Sequence, residues 1–267
     1  MLVAAHALEA LLLLAGPLVL GRALCRRWNL PLGIVGVGLL TFIAGQVAQM
    51  AIAKLTTALF SAGMLPAPSE ASVVGVGAML AGLAAALSDE PLRWMAFRRY
   101  LPDHIDTRGG LLHGVGHGAG ATILSGAMVL WMAGLAIAFE GSTFEELEQA
   151  GFEGRSAVRM GIKIMAWWEG DVGSVAISTA RELSVLLMHI GLSAAVVRSM
   201  QLRSKDGGGR AWFIAAFVIH AIAATGIAWS VEANEGLGPI VVAYAFAGVC
   251  GLGLTLAAGR SMRAEAL

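Results

Sequence analysis

Hydrophobic residues along the chain fall into seven runs, each long enough, at about 20 residues, to cross a bilayer as a helix. They cover roughly residues 2–24, 31–53, 72–97, 109–139, 172–197, 211–231 and 236–258. The connections between them sort by charge. Arg22, Arg26 and Arg27 follow the first run, and Arg98, Arg99 and Arg108 the third. Arg198, Arg203, Lys205 and Arg210 follow the fifth, and Arg260 and Arg263 the seventh. The alternate connections hold Glu70, then a long acidic stretch from Glu140 to Asp171, then Glu232 and Glu235. Lys54, Arg155, Arg159 and Lys163 are outnumbered exceptions. The pattern predicts an all-α polytopic membrane bundle of about seven transmembrane helices, a single integral membrane domain over 1–267. By the positive-inside rule its N-terminus lies outside and its C-terminus in the cytoplasm.

Residues 140–171 form the longest connection and carry a pattern of their own. Glu145, Glu146 and Glu148, then Arg155, Arg159 and Lys163, alternate with Phe144, Phe152, Val158, Met160, Ile162 and Ile164. This predicts one or two amphipathic helices on the outer interface, with Trp167 and Trp168 as anchors. Gly207–Gly209 reads as a short turn on the cytoplasmic side.

Composition agrees with the membrane reading. The chain is 57% hydrophobic and only 13% charged, where soluble domains carry about 25% charged residues. A formal net charge of zero argues against a nucleic-acid partner. Cys25 and Cys250 have no metal-type neighbours, and no disulfide is expected. No Lys or Arg precedes the first run while arginines follow it, the reverse of a secretory leader, so a retained first span is expected. Heavy use of Ala, Gly and Arg suggests a GC-rich bacterium, hence a multi-pass protein of the cytoplasmic membrane.

Within the runs a small set of ionisable residues stands out. Asp89, Glu90 and Arg93 lie inside the third, spaced so that both acids can pair with the arginine on one helix face. A charge at mid-bilayer costs on the order of 2.5–3.5 kcal/mol on insertion scales, so such a set needs a purpose. His117, His189 and His220 occupy the next three runs. Counted from the arginines at the cytoplasmic flank, Glu90 and these histidines all lie roughly 12–15 Å deep at 1.5 Å per residue. One buried histidine is often only an interhelical hydrogen-bond partner; three at one depth with a glutamate point to a site. Gly114, Gly116, Gly118 and Gly120 surround His117 as two G-x-x-x-G pairs that let neighbouring backbones come close.

Two chemistries suit the set, and both hydrolyse peptide bonds. In one, Glu90 is general base on a water, oriented by Arg93 or Asp89, with His117 and His189 polarising the carbonyl or protonating the leaving amine. In the other, His117, His189 and His220 hold a divalent metal such as zinc and Glu90 is again the base. Helix-to-helix ligand sets leave no spacing signature, so the cofactor is either none or one such metal. His113 and His117 are spaced like a zincin pair, but Gly114 stands where the glutamate of H-E-x-x-H belongs. His113 is expected nearer the interface, in reach of lipid headgroups. Glu182, seven residues before His189, shares its face and is expected to line the same cavity from the outer side, beside Arg181.

These motifs resemble the YhfC-type intramembrane proteases, relatives of the CAAX prenyl proteases and bacteriocin-processing membrane proteases. The resemblance rests on Asp89-Glu90-Pro91-Leu92-Arg93, on Gly114-Val115-Gly116-His117-Gly118, on Arg181-Glu182 with His189-Ile190-Gly191-Leu192-Ser193, and on His220. It covers about residues 72–224 and implies that Glu90 activates water, that His117 and His189 assist, and that His220 supports them. The implied substrates are membrane-embedded, prenylated or otherwise lipidated peptides near the cytoplasmic side. The sequence departs from the family at Asp89, usually glutamate; at Ala121 and Ala224, often acidic or amide residues; and in the order of Arg181-Glu182. Those departures keep a rival in view, a non-catalytic pseudoprotease that binds transmembrane helices or lipidated peptides. A small-molecule transporter is a third reading, weakened by the lack of a two-fold repeat and paired broken helices.

Overall fold

A computed structural model describes residues 1–202, 208–232 and 237–265. Arg203, Lys205, Gly207 and Glu235, used above for sidedness and the turn, lie outside the described residues. The described chain is helical, with no strand. Its helices are α1 (Leu2–Trp28), α2 (Gly33–Ser61), α3 (Val73–Arg99), α4 (Thr107–Ala138), α5 (Phe144–Gln149), α6 (Arg155–Glu169), α7 (Val172–Leu202), α8 (Gly209–Glu232) and α9 (Leu237–Glu265). All but α5 and α6 are long and apolar enough to cross a membrane, making seven spans as the hydrophobic runs predict. Lys54 sits on the exposed side of α2, which continues past the predicted end of that span.

Local signals account for the helix ends. Asn29 closes α1 in the left-handed conformation (φ 52°), and Leu30 N–H donates to the Cys25 carbonyl at 3.0 Å. The Asp106 side chain accepts from Gly109 N–H at 2.7 Å and starts α4. Thr143 and Glu146 form a reciprocal capping box at α5. Pro91 lies inside α3 without ending it, and has no N–H to offer the Leu87 carbonyl one turn back.

Helices α2, α3, α8, α7 and α4 pack in that order as a ring, each against the next, with α4 closing on α2. Outside the ring, α1 packs on α4 and α9 on α7 and α8. The segment 140–171 folds as α5 and α6, packed on each other, with α6 also against α4. Leu147, Ala157 and Ile164 are buried there, while Val158, Ile162 and Met165 form an exposed apolar stripe beside exposed Arg159 and Lys163, as an interfacial helix requires. Trp168 Nε1 donates to the Ala136 carbonyl at 3.2 Å, tying α6 to α4.

The ring closes tightly because α4 is glycine-rich on two sides. Gly114 and Gly118 meet α7 at Ile190 and Leu186, and Gly116 and Gly120 meet α2 at Val35 and Phe42. A methyl group on Gly116 would run into the Val35 carbonyl, which is backbone and cannot move aside. We expect Gly116→Ala to cost about 1–3 kcal/mol by overpacking. Gly36→Ala, whose new methyl meets nothing within 4 Å, should be neutral or gain up to about 1 kcal/mol from helix propensity. Thermal midpoints in detergent would separate them; equal midpoints would show that close α2–α4 contact does not hold the ring.

Candidate functional site

The interior of the ring contains the charged side chains. Asp89, Glu90 and Arg93 on α3, His113 and His117 on α4, His189 on α7 and His220 on α8 are all buried, with Glu90, Arg93, His113 and His117 fully so. Sequence depth and structure agree: His117 lies ten residues into α4, about 15 Å from its arginine-flanked end at 1.5 Å per residue. That arginine-flanked end is the basic end of the bundle, and the opposite one, carrying α5 and α6, is the acidic end.

Arg93 is the hub. Its Nη2 donates to His189 Nδ1 at 2.7 Å and its Nη1 to the His189 main-chain carbonyl at 3.4 Å. The same guanidinium lies 3.8 Å from Asp89 Oδ2 and 3.8 Å from Glu90 Oε1. Two carboxyl groups thus share one guanidinium. A carboxylate out of water is expensive unless it is paired, so a proton or a further cation beside Arg93 would be favoured there.

Donor and acceptor rules fix the imidazole tautomers. Arg93 can only donate, so His189 Nδ1 accepts, and the ring hydrogen sits on Nε2. Glu90 as a carboxylate can only accept, so His220 donates to its Oε1 from Nδ1 at 2.8 Å, and the Nε2 of a neutral His220 ring would carry a lone pair. That Nε2 is 3.8 Å from Asp89 Oδ2. His117 donates from Nε2 to Asp89 Oδ2 at 3.1 Å, which leaves its buried Nδ1 without a partner. Glu90 Oε2 is likewise buried and unpartnered.

His113 has a different role. Thr41 gives its hydroxyl hydrogen to the Val37 carbonyl at 2.7 Å, so it accepts from His113 Nε2 at 3.3 Å. Ser193 then donates to His113 Nδ1 at 3.2 Å. Fully buried and bonded at both nitrogens, His113 ties α4 to α2 and α7 and is out of reach of the lipid headgroups expected for it.

A cleft of about 360 Å³ reaches the set. Asp89, His189 and His220 form its floor, with Gln46, Gln49 and Ser125 the other polar groups along it. Glu90 is not among the lining residues; it stands behind His220. Ala121 and Ala224, the positions where the sequence lacks polar side chains, both line the cleft. Glu182 does not, but its Oε2 accepts from Ser125 at 2.7 Å, one hydrogen bond from the cleft wall.

Sequence reading missed one line of residues. Thr41, Gly45 and Gln49 recur every four residues on α2 and face the site. Gln49 donates to Asp89 Oδ1 at 3.4 Å, and the same carboxylate oxygen packs so closely on Gly45 that a side chain there would collide with it. Small and polar residues at that spacing in an apolar helix were the available signal.

A metal centre can be weighed against these contacts. Asp89, His117 and His189 each offer a ligand atom within 4.8 Å of the others, a donor set that suits zinc. His220 is not part of that group and is held by Glu90 instead. The Arg93 bond to His189 Nδ1 keeps a hydrogen on Nε2, so ligation by His189 would require Arg93 to let go.

Removing the hub has a calculable cost. Arg93→Met leaves two buried carboxylates with no cation and should destabilise the protein by about 3–5 kcal/mol. Adding Glu90→Gln should restore part of that loss. Thermal unfolding in detergent would check both, and a stable Arg93→Met protein would show that the carboxylates do not depend on Arg93.

No family model matches the sequence, and neither a curated protein nor a solved structure is detectably similar to the chain.

Proposed function

We propose that the chain is an intramembrane hydrolase that cleaves peptide bonds of membrane-embedded or lipidated substrates, placed with the YhfC-type proteases by motif order. The observation that carries this reading is that two imidazoles line the cleft floor, each held through Nδ1 by a buried charged side chain. Glu90 holds His220 at 2.8 Å and Arg93 holds His189 at 2.7 Å, an arrangement that suits His220 Nε2 as a base and His189 Nε2–H as a donor. A base and an oxyanion donor meeting at one cavity are the parts that amide hydrolysis needs.

The proposed reaction follows from the tautomers. His220 Nε2 takes a proton from water as the water oxygen attacks the scissile carbonyl carbon. His189 Nε2–H donates to the oxygen on which negative charge develops. The carbon–nitrogen bond then breaks, and His220 returns its proton to the leaving amine, so that the products are a carboxylic acid and an amine. Glu90 is a positioning residue: it holds the Nδ1 hydrogen of His220 and stabilises the imidazolium, acting through His220. Asp89 Oδ2, 3.8 Å from His220 Nε2, lies on the other side of the same ring. Arg93 positions His189.

A second reading has its own support in the Asp89, His117 and His189 ligand atoms. A divalent cation held there would lower the pKa of a bound water and polarise the carbonyl. Metal analysis of the purified protein decides: about one ion per chain, lost in Asp89→Ala and His117→Ala, would favour it.

By the positive-inside rule we place the basic end in the cytoplasm and the protein in the cytoplasmic membrane. The test of function compares peptide termini across the membrane proteome of cells expressing wild type, Glu90→Gln or His220→Gln. New termini in or near transmembrane segments should occur with wild type and fall by about 10²–10⁴-fold in either variant. Identical terminus sets at equal protein abundance would reject hydrolysis and leave the cleft a binding site for a helix or lipidated peptide.

A further inference from the structure

The cleft has a direction. Ala121 and Ser125 lie beyond His117 toward the acidic end of α4, Ala81 and Ala85 precede Asp89 on α3, and Ala224 and Ala228 follow His220 on α8. Every one of these steps leads away from the basic end. On the other side of the set, Phe97, Leu112, Leu192 and Val196 are fully buried and pack as one apolar core. The site therefore lies closer to the basic end yet opens toward the acidic one.

A second group of buried charges adjoins the cleft wall at Ser125. Glu9 on α1 is 2% exposed; its Oε2 lies 3.0 Å from His6 Nδ1, and its Oε1 has no partner. Ala10, the next residue, packs on Gly126 of α4, beside Ser125, whose hydroxyl donates to Glu182 Oε2 at the cleft wall. Arg181, next to Glu182 in the chain, is turned to Tyr244, with Cζ 4.5 Å from the ring centroid and Nη2 donating to the hydroxyl at 3.3 Å. Trp167 of α6 stacks on His6 with 4.8 Å between ring centroids and covers this group from the acidic end.

We propose that the upper cleft is a cation-selective vestibule, entered from the acidic face and guarded by Glu9 and Glu182. Its ligand chemistry is a group bearing one positive charge, an ammonium or a guanidinium. Such a group is attracted by the carboxylates of Glu182 and Glu9 beside the cleft wall and then by Asp89 at the floor. The vestibule does not depend on hydrolysis; under the hydrolase reading it names the substrates as peptides carrying a basic group, presented from the acidic face.

The experiment is thiol accessibility in a Cys25→Ala/Cys250→Ala background. Ala121→Cys and Ala224→Cys each place a reporter in the cleft, with Ser142→Cys marking the acidic face and Asp103→Cys the basic face. The probes are a membrane-impermeant trimethylammonium thiosulfonate and its sulfonate counterpart, applied to one face at a time. Both cleft cysteines should react only from the face that labels Ser142→Cys, with the cationic reagent ahead by about tenfold, the scale of electrostatic focusing in a charged cleft. Glu182→Gln and Glu9→Gln should bring the two rates close together. Labelling from the Asp103→Cys face, no labelling from either face, equal rates for both reagents, or a preference that survives both glutamine variants would each overturn the proposal. Labelling needs no turnover, so a vestibule without selectivity and a protein without peptidase activity are separate failures.

Discussion

The structure depends on one buried guanidinium. Arg93 is fully enclosed, and it is the only cation in contact with Asp89, Glu90 and His189 among the described residues. Burying an arginine costs several kcal/mol unless its charge and hydrogens find partners. Its partners come from α3 and α7, and through them α8 and α4 are drawn in, since His220 binds Glu90 and His117 binds Asp89. Four helices are thus fixed in register by hydrogen bonds that begin at a single side chain. The same bonds assign the hydrogens on His189 and His220, so the interaction that orders the core also sets which nitrogens are donors and which are acceptors.

That polar hub requires short distances between helices, and glycine provides them. The α4 glycines admit α7 on one side and α2 on the other, which brings His117 and His113 within reach of Asp89, Thr41 and Ser193. Gly45 leaves room for the Asp89 carboxylate in the same way. In a bilayer, where lipid is as apolar as any side chain, close backbone packing and buried hydrogen bonds replace hydrophobic collapse as the source of helix association. Packing and polar network are therefore one design, and neither would persist without the other.

Much of this was legible in the sequence, for physical reasons. Backbone groups in a bilayer must be satisfied within the helix, so the apolar runs had little choice but to form the seven spans seen. Charges inside such runs are costly, so Asp89, Glu90, Arg93, His117, His189 and His220 declared themselves, and the structure brings them together. Pairing across helices was not legible. Nothing local tells that His220 meets Glu90 while His117 meets Asp89, or that His113 is braced by Thr41 and Ser193. Glu9 carries no such signal, because a single acid near the start of an apolar run reads as an end effect; the fold buries it against His6, whose ring stacks on Trp167 of α6.

Charge balance joins the two buried groups. Each contains two acidic residues and an arginine, and each guanidinium is oriented by a non-carboxylate partner, His189 for Arg93 and Tyr244 for Arg181. An uncompensated negative charge in a low-dielectric interior is tolerated where a positive charge arrives during function. At the floor that charge would be the imidazolium formed when His220 takes a proton, and above it the cationic group of an entering ligand. Ala121 and Ala224 fit the same logic: acids or amides there would have narrowed the cleft, and acids would have added charge, whereas methyl groups keep the path between the two groups open. Methyl groups at those positions thus give a wider passage to the hydrogen-bonded core.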